Sequence, residues 1–212
     1  MKQIKSPFLV YQEFLSALLC EEIVDSLDLS IPNEDVEGNP LKMVMHHERL
    51  EDIIYHKFLD KIPNINNHYD VEHNGTTEID FEWIPQGCNQ GDPVCENSRL
   101  MNVKGRNKWA RVRNRDLTCV LFLSSYCNKP NFDSDYEVYG GKLNFPAFDF
   151  GFNPERGTLI IYPSGPNFIN LISPIIVGDL ILARFHISTK MPFVFDIDNF
   201  NGSYHNWFNE IS

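Results

Sequence analysis

Six cations crowd into twelve positions of this chain: Lys104, Arg106, Lys108, Arg111, Arg113 and Arg115. If residues 109–115 are extended, Arg111, Arg113 and Arg115 share a face with Trp109, a stripe able to receive an acidic partner or a phosphate backbone. The same charges on a solvated strand edge would simply discourage edge-to-edge pairing. The acidic segments PNEDVEG, FDSDYE and IDID could meet the stripe on a neighbouring copy. A second signal is His68-Tyr69-Asp70, a His-x-Asp with His73 close by, which supplies ligand types that transition metals accept. A polar surface loop after a helix produces the same string without any metal. His46-His47 and His56 fall in or beside helical sequence, and nothing converges on His205. Cys20, Cys88, Cys95, Cys119 and Cys127 are odd in number, and no spacing among them suits a zinc finger or a redox CxxC, so they read as reduced, buried thiols.

Composition bounds what those residues can serve. The chain has 212 residues, 42% hydrophobic and 22% charged, enough for one domain with a sizeable core. With 18 Lys+Arg against 29 Asp+Glu the formal charge is −11, which argues against a nucleic-acid or anionic-membrane binder acting through its whole surface. No apolar run approaches the roughly 20 residues that span a bilayer. The opening MKQIKSPFLVYQEF lacks the apolar stretch of a signal peptide, so the expected setting is soluble and cytoplasmic.

The elements that must position these residues come in two textures. Phe14, Leu18, Leu19, Ile23, Val24 and Leu27 recur at helical spacing behind Ser16, and Leu50, Ile53, Ile54, Lys57 and Phe58 repeat the pattern. IPNEDVEGNP between them reads as a loop. From about residue 68 alternation takes over: Tyr69, Val71, Thr77, Ile79, Phe81 and Trp83 predict strands. LTCVLFLSSY, KLNFPAF, GTLIIYP and DLILARFHI predict further strands. The polar stretch 85–107 reads as one long loop, and such loops are usually functional or mobile. Residues 1–190 form one expected domain. Residues 191–212 form an aromatic-rich tail, with Phe193, Phe195, Phe200, Tyr204, Trp207 and Phe208, expected to pack on that domain or on a partner. Helices followed by many short strands predict an α+β fold whose main body is an antiparallel sandwich or jelly roll.

Between residues 115 and 187 the order of short motifs resembles a known family. Arg115-Asp116-Leu117-Thr118 opens an apolar strand and Tyr139-Gly140-Gly141-Lys142-Leu143-Asn144-Phe145-Pro146 follows. Next come Asn153-Pro154-Glu155-Arg156-Gly157-Thr158-Leu159-Ile160, and then Gly178 leading to Arg184-Phe185-His186-Ile187. This series is similar to the iron(II)/2-oxoglutarate oxygenase superfamily, in its prolyl-4-hydroxylase-like branch and closest to members found in tailed bacteriophages. The opening LVYQEFLSALLCEEIVDSL resembles the same branch. The resemblance implies N-terminal helices packed on a double-stranded β-helix, or jelly-roll, core.

It also implies where a metal would sit. Active members hold iron with a His-x-Asp or His-x-Glu pair and a distant His, leaving positions open for 2-oxoglutarate and oxygen. Counting back from Arg115 puts Val94 at the first histidine and Glu96 at the carboxylate. The distal histidine falls in SGPNFINLISPIIV, which has none, so Asn167 or Asn170 stands there. Arg184 matches the oxoglutarate-binding cation if Asn167 is the equivalent; if Asn170 is, the cation falls near Leu180 and is missing. The alternative for Arg184 is a buried strand arginine paired with an acidic neighbour. Neither valine nor a neutral amide replaces imidazole, so no metal and no cofactor are expected. The expected function is a non-catalytic oxygenase fold serving as a structural or protein-binding module, such as a bacteriophage virion component. Its expected partners are other protein subunits or copies of itself, with Trp109, Arg111, Arg113 and Arg115 as contact candidates. The rival is an active Fe(II)/2-oxoglutarate hydroxylase acting on a protein or nucleobase, built from His68 and Asp70, or from Glu96 with other ligands; His186 could join only through a slipped register.

Overall fold

Alternation along Leu180–Thr189, the last and longest strand among the described residues, sets the architecture. Ile181, Ala183, Phe185 and Ile187 enter one apolar cluster, while Leu180 and Leu182 enter another on the opposite side. A strand covered on both faces must lie at the centre of a sheet between two layers. A computed structural model describes residues 6–29, 34–35, 37–88, 93–130 and 135–195.

In chain order its elements begin with β1 (Leu9–Tyr11), α1 (Ala17–Ser26), β2 (Met43–Met45), α2 (Glu48–Leu59) and α3 (Ile62–Tyr69). There follow β3 (His73–Thr76), β4 (Asp80–Ile84), β5 (Ser98–Val103), β6 (Arg106–Arg111), β7 (Leu117–Phe122) and β8 (Ser125–Tyr126). The last are β9 (Glu137–Gly140), β10 (Leu143–Phe145), β11 (Phe150–Phe152), β12 (Leu159–Pro163), β13 (Leu171–Ile172), β14 (Ile175–Gly178) and β15 (Leu180–Thr189).

The large sheet runs β1-β12-β7-β15-β4-β2, with β3 also pairing β15. Its ladders are antiparallel throughout. Two three-stranded sheets, β11-β10-β13 and β14-β9-β8, cover its inner face. Between the layers lie Val120, Phe122, Leu143, Phe145, Ile160 and Phe168, all nearly inaccessible. Among the described residues three α-helices, α1 to α3, cover the outer face. Ser16 caps α1 by accepting from the Leu19 amide at 3.3 Å, and Cys20, Ile23 and Val24 turn inward. On α2, Leu50, Ile54 and Phe58 form an i, i+4, i+8 stripe against the sheet, and Phe58 meets Phe185 edge-to-face at 5.0 Å. Fully burying each such side chain contributes about 1.5–3 kcal/mol. The result is a mostly antiparallel, jelly-roll-like α+β fold.

Two expectations need correction. Residues 62–69 are a helix: Tyr69 is its last residue rather than the start of a strand, and Val71 lies in no strand. Pro63 sits in the first turn, where its missing N–H costs nothing, and Asp70 closes the helix in the left-handed region at φ 54°. Tyr69 is buried, with its hydroxyl 2.9 and 2.8 Å from the carbonyl oxygens of Pro7 and Ile161. Residues 85–107, in turn, are not one loop, because β5 and β6 pair from Ser98↔Arg111 to Val103↔Arg106 around a Lys104-Gly105 turn. Both turn residues have positive φ, 52° and 77°, the geometry that matches strand twist. The five cysteines are free, with Cys20, Cys88 and Cys119 buried. Of the tail, Phe193 packs on Tyr69 at 5.7 Å and Phe195 on Phe168 at 5.6 Å. Phe200, Tyr204, His205, Trp207 and Phe208 lie outside the described residues.

Candidate functional site

The alternation that sends Leu180 and Leu182 between the layers continues with Arg184 and His186. On the neighbouring strand Glu82 lies in the same phase, because Glu82 is opposite Leu182 and so diagonal to Arg184. Three polar side chains thus point into one end of the space between the sheets. The segment 94–98 closes that end. Val94 and Asn170 exchange backbone hydrogen bonds of 2.8 and 3.0 Å, and the Asn97 amide donates to Ser164 O at 3.3 Å. Held this way, Glu96 projects into the interior and is 5% exposed.

The result is one connected charge network. Arg184 grips Glu82 through Nε at 3.0 Å and Nη2 at 3.4 Å, and its Nη1 donates to Glu96 Oε1 at 3.1 Å. The other oxygen of Glu96 lies 3.1 Å from His186 Nε2 and 3.5 Å from Arg115 Nη1. Lys42 reaches Glu82 from the rim at 3.0 Å. The Tyr162 hydroxyl borders Arg184 Nη1 at 3.5 Å. With Asp80 on the rim, Lys42, Glu82, Glu96, Arg115, Arg184 and His186 line a cavity of about 190 Å3. Taking His186 as neutral, three cations face three carboxylates there, so the cavity has no surplus of positive charge.

Burial opposes charge on Glu82, Glu96, Arg184 and His186, and pairing outweighs it on the first three. For Glu96, burial acts upward, but the His186 hydrogen bond and the Arg184 and Arg115 charges bring it down to about 2. Burial likewise acts upward on Glu82, and Arg184 with Lys42 outweighs it. Arg184, fully enclosed, is nevertheless held charged more firmly than an ordinary arginine by Glu82, Tyr162 and Glu96. His186 is shifted down: burial, helped by Arg115 and Arg184, outweighs Glu96. A neutral imidazole still donates from Nε2 to Glu96.

Val94, Glu96, Asn170 and Arg184, singled out in the sequence, all line this cavity. Asn170 is buried opposite Val94, whereas Asn167 is exposed in a short 3-10 turn. Arg184 and Asn170 line the same cavity, although the spacing alternative put the cation near Leu180 if Asn170 is the counterpart. The Asn170 amide nitrogen lies 3.5 and 3.4 Å from the Val94 and Phe168 carbonyl oxygens. His68 and Asp70 are elsewhere, at the end of α3, with His68 Nε2 2.9 Å from Ser6 O. They are not the loop expected of them. His186 reaches the site by strand alternation, without any slip of register.

The basic stripe is divided by the structure. At the base of the hairpin the Val112 and Arg113 amides both donate to Asn97 O, at 2.8 and 3.1 Å, which interrupts the extended chain. Arg111 then pairs Asp116 at 2.8 Å and Arg115 turns to Glu96, while Trp109 and Arg113 stay exposed. Sequence reasoning missed Glu82 and Lys42. The signal for Glu82 was a carboxylate inside the otherwise apolar run Phe81–Ile84, a residue that needs a buried partner.

Among the described residues no group of three or more His, Cys, Asp or Glu side chains is placed to hold a metal ion. Nor is any helix long and apolar enough to cross a membrane. No protein-family model and no curated protein matches the chain. Among solved structures it is similar to the viral collagen prolyl hydroxylase of Paramecium bursaria Chlorella virus-1 in its 2OG complex. That match has a TM-score of 0.56 and 14% identity, over 88% of this chain and 97% of the other. A truncated form of the same protein gives 0.55 and 15%, over 89% and 94%. A prolyl-4-hydroxylase of Pseudomonas putida gives 0.52 and 15%, over 88% and 94%. The shared property is the fold of the prolyl-4-hydroxylases, which are 2-oxoglutarate/Fe(II) oxygenases.

Proposed function

We propose that this chain is a non-catalytic member of that fold, a double-stranded β-helix kept as a structural or protein-binding module rather than as an oxygenase. The observation that carries the reading is the Glu82–Arg184–Glu96 network at the barrel mouth. Arg184, the counterpart of the oxoglutarate-binding cation, is bound to two buried carboxylates of its own chain. A 2-oxoglutarate dianion would have to displace Glu82 or Glu96 and leave a charge buried without its partner, at about 3–5 kcal/mol.

The side chains there do not fit iron either. Val94, at the first histidine position, has no lone pair. Asn170, at the distal position, turns its amide nitrogen toward carbonyl oxygens. Glu96, the remaining carboxylate, already has both oxygens engaged by Arg184, His186 and Arg115. Losing a single outer-shell partner costs such sites about 10–100-fold in affinity; here both imidazoles are gone. No oxidative step is therefore assigned to this chain. As a rigid scaffold in an assembly, such as a virion, it would offer its surface to other protein subunits.

The test is anaerobic Fe(II) titration of the full chain, followed by a 2-oxoglutarate decarboxylation assay. Unchanged absorbance and no succinate are expected. Stoichiometric iron with succinate release would overturn the proposal. A 2-oxoglutarate-dependent rise in unfolding temperature without turnover would replace it with an anion pocket around Arg184.

A further inference from the structure

The β5–β6 hairpin stands apart from the sheets that make the body, a two-stranded ribbon paired only with itself. Both its faces are open. Leu100 opposite Trp109 lies on one face, and Met101 opposite Lys108 with Val103 opposite Arg106 lies on the other. Leu100, Met101, Val103 and Trp109 are 54%, 47%, 46% and 43% exposed. A bare two-stranded ribbon is marginal in water, and one carrying four large exposed apolar side chains points to a partner. Charge identifies the kind of partner. Residues 98–113 hold six Lys or Arg and no Asp or Glu, leaving twelve basic residues against all 29 acidic ones in the remaining chain. The hairpin is a cationic arm on a strongly anionic body.

That body has a groove of matching character. Asp25, Asp135, Glu137 and Asp179 line it, Val24, Leu27 and Ile181 supply apolar floor, and among the described residues no lysine or arginine lines it. The groove borders Asp179 at the start of β15. The hairpin is rooted at the other end of that strand, where Arg111 pairs Asp116 and the Asp116 amide donates to Ile187 O. Eight residue steps of extended chain, from Asp179 to Ile187, put roughly 26 Å between the groove and the root of the hairpin, and no hairpin residue lines the groove of its own molecule.

We infer that the hairpin of one copy docks into the acidic groove of a second, a head-to-tail contact between unlike surfaces. Repetition of such a contact gives a closed ring if the rotation closes and an open filament if it does not. The inference deepens the protein-binding reading above and rests on it, but the two fail separately, since self-association is read without metal or 2-oxoglutarate.

Sedimentation velocity of the full chain over a range of concentrations and salt provides the test. The wild type is expected to form species larger than a dimer, more weakly as salt rises. Arg106→Glu with Lys108→Glu on the hairpin, or Asp135→Lys with Glu137→Lys in the groove, should each weaken association at least about tenfold. Mixing the two variants sets one intact hairpin against one intact groove and the two reversed surfaces against each other, so association is expected to return. A wild type that stays monomeric overturns the inference, even if it binds duplex DNA or another protein through the same arginines. So does association that survives both pairs of reversals, or a mixture that forms no dimer.

Discussion

Glu96 receives three cationic or donor groups on two oxygens, and its titration has a definite consequence. Folding lowers its proton affinity from the ordinary 4.5 to about 2. The unfolded chain therefore takes up a proton first as pH falls. The stabilisation is whole above 4.5 and is lost on descending toward 2, about 3 kcal/mol in all. His186 acts in the same direction: its imidazole is held below the usual 6.5, so its contribution is present above that value and fades as pH falls. Urea unfolding of wild type and Glu96→Gln as a function of pH should show the variant weaker by about 3 kcal/mol at neutral pH, with the gap closing toward pH 3. A gap independent of pH would mean that Glu96 is not held ionised by its neighbours. Arg184→Met removes the shared cation from Glu82 and Glu96 together. It should cost about 3–5 kcal/mol in the same experiment, because two buried carboxylates lose a partner.

At the scale of elements, local physics prevails where burial is two-sided or periodic. β7, β12 and β15 were legible as apolar runs, and α1 and α2 as helical stripes, because each buries a face whose period survives in the sequence. IPNINNHY was not legible as helix: Ile65 and Tyr69 are its buried residues, and three asparagines weaken the pattern. The β5–β6 hairpin was missed because a ribbon exposed on both faces needs no apolar alternation, leaving only the Lys104-Gly105 turn as a sign. The site divides the same way. Motif order led to Val94, Glu96 and Arg184, whereas Lys42 joins through β2–β4 pairing that no local pattern encodes. Two glycines test how firmly the elements are seated. At Gly157, φ is +83° and an added Cβ would stand 2.1 Å from the Leu15 carbonyl oxygen, where the chain leading into α1 meets β12. At Gly105 φ is +77° with nothing within 4 Å. Gly105→Ala should therefore cost about 1–2 kcal/mol for the left-handed backbone alone. Gly157→Ala should cost distinctly more, read as a larger fall in the urea midpoint. Equal losses would mean that the approach of Leu15 relaxes freely.

For the molecule as a whole, the buried network and the sheets that enclose it make one prediction about ligands. Anything that binds only the native state stabilises it by mass action, about 2.7 kcal/mol at a hundredfold excess over Kd. In a chain of this size that amounts to an upward shift of roughly 5–10 °C in unfolding temperature. An oxygenase with a working site would show this with Fe(II) and 2-oxoglutarate under anaerobic conditions. Here Arg184 is already engaged through Nε, Nη1 and Nη2, and Glu96 through both oxygens, so the expected shift is nil for the metal, the acid and the two together. Arg184→Met separates the remaining possibilities. If 2-oxoglutarate raises the melting temperature of the wild type and not of this variant, the dianion can displace Glu82 from Arg184 and the mouth is an anion site. If neither protein responds, the cation belongs to the fold, held in place by Glu82 and Glu96.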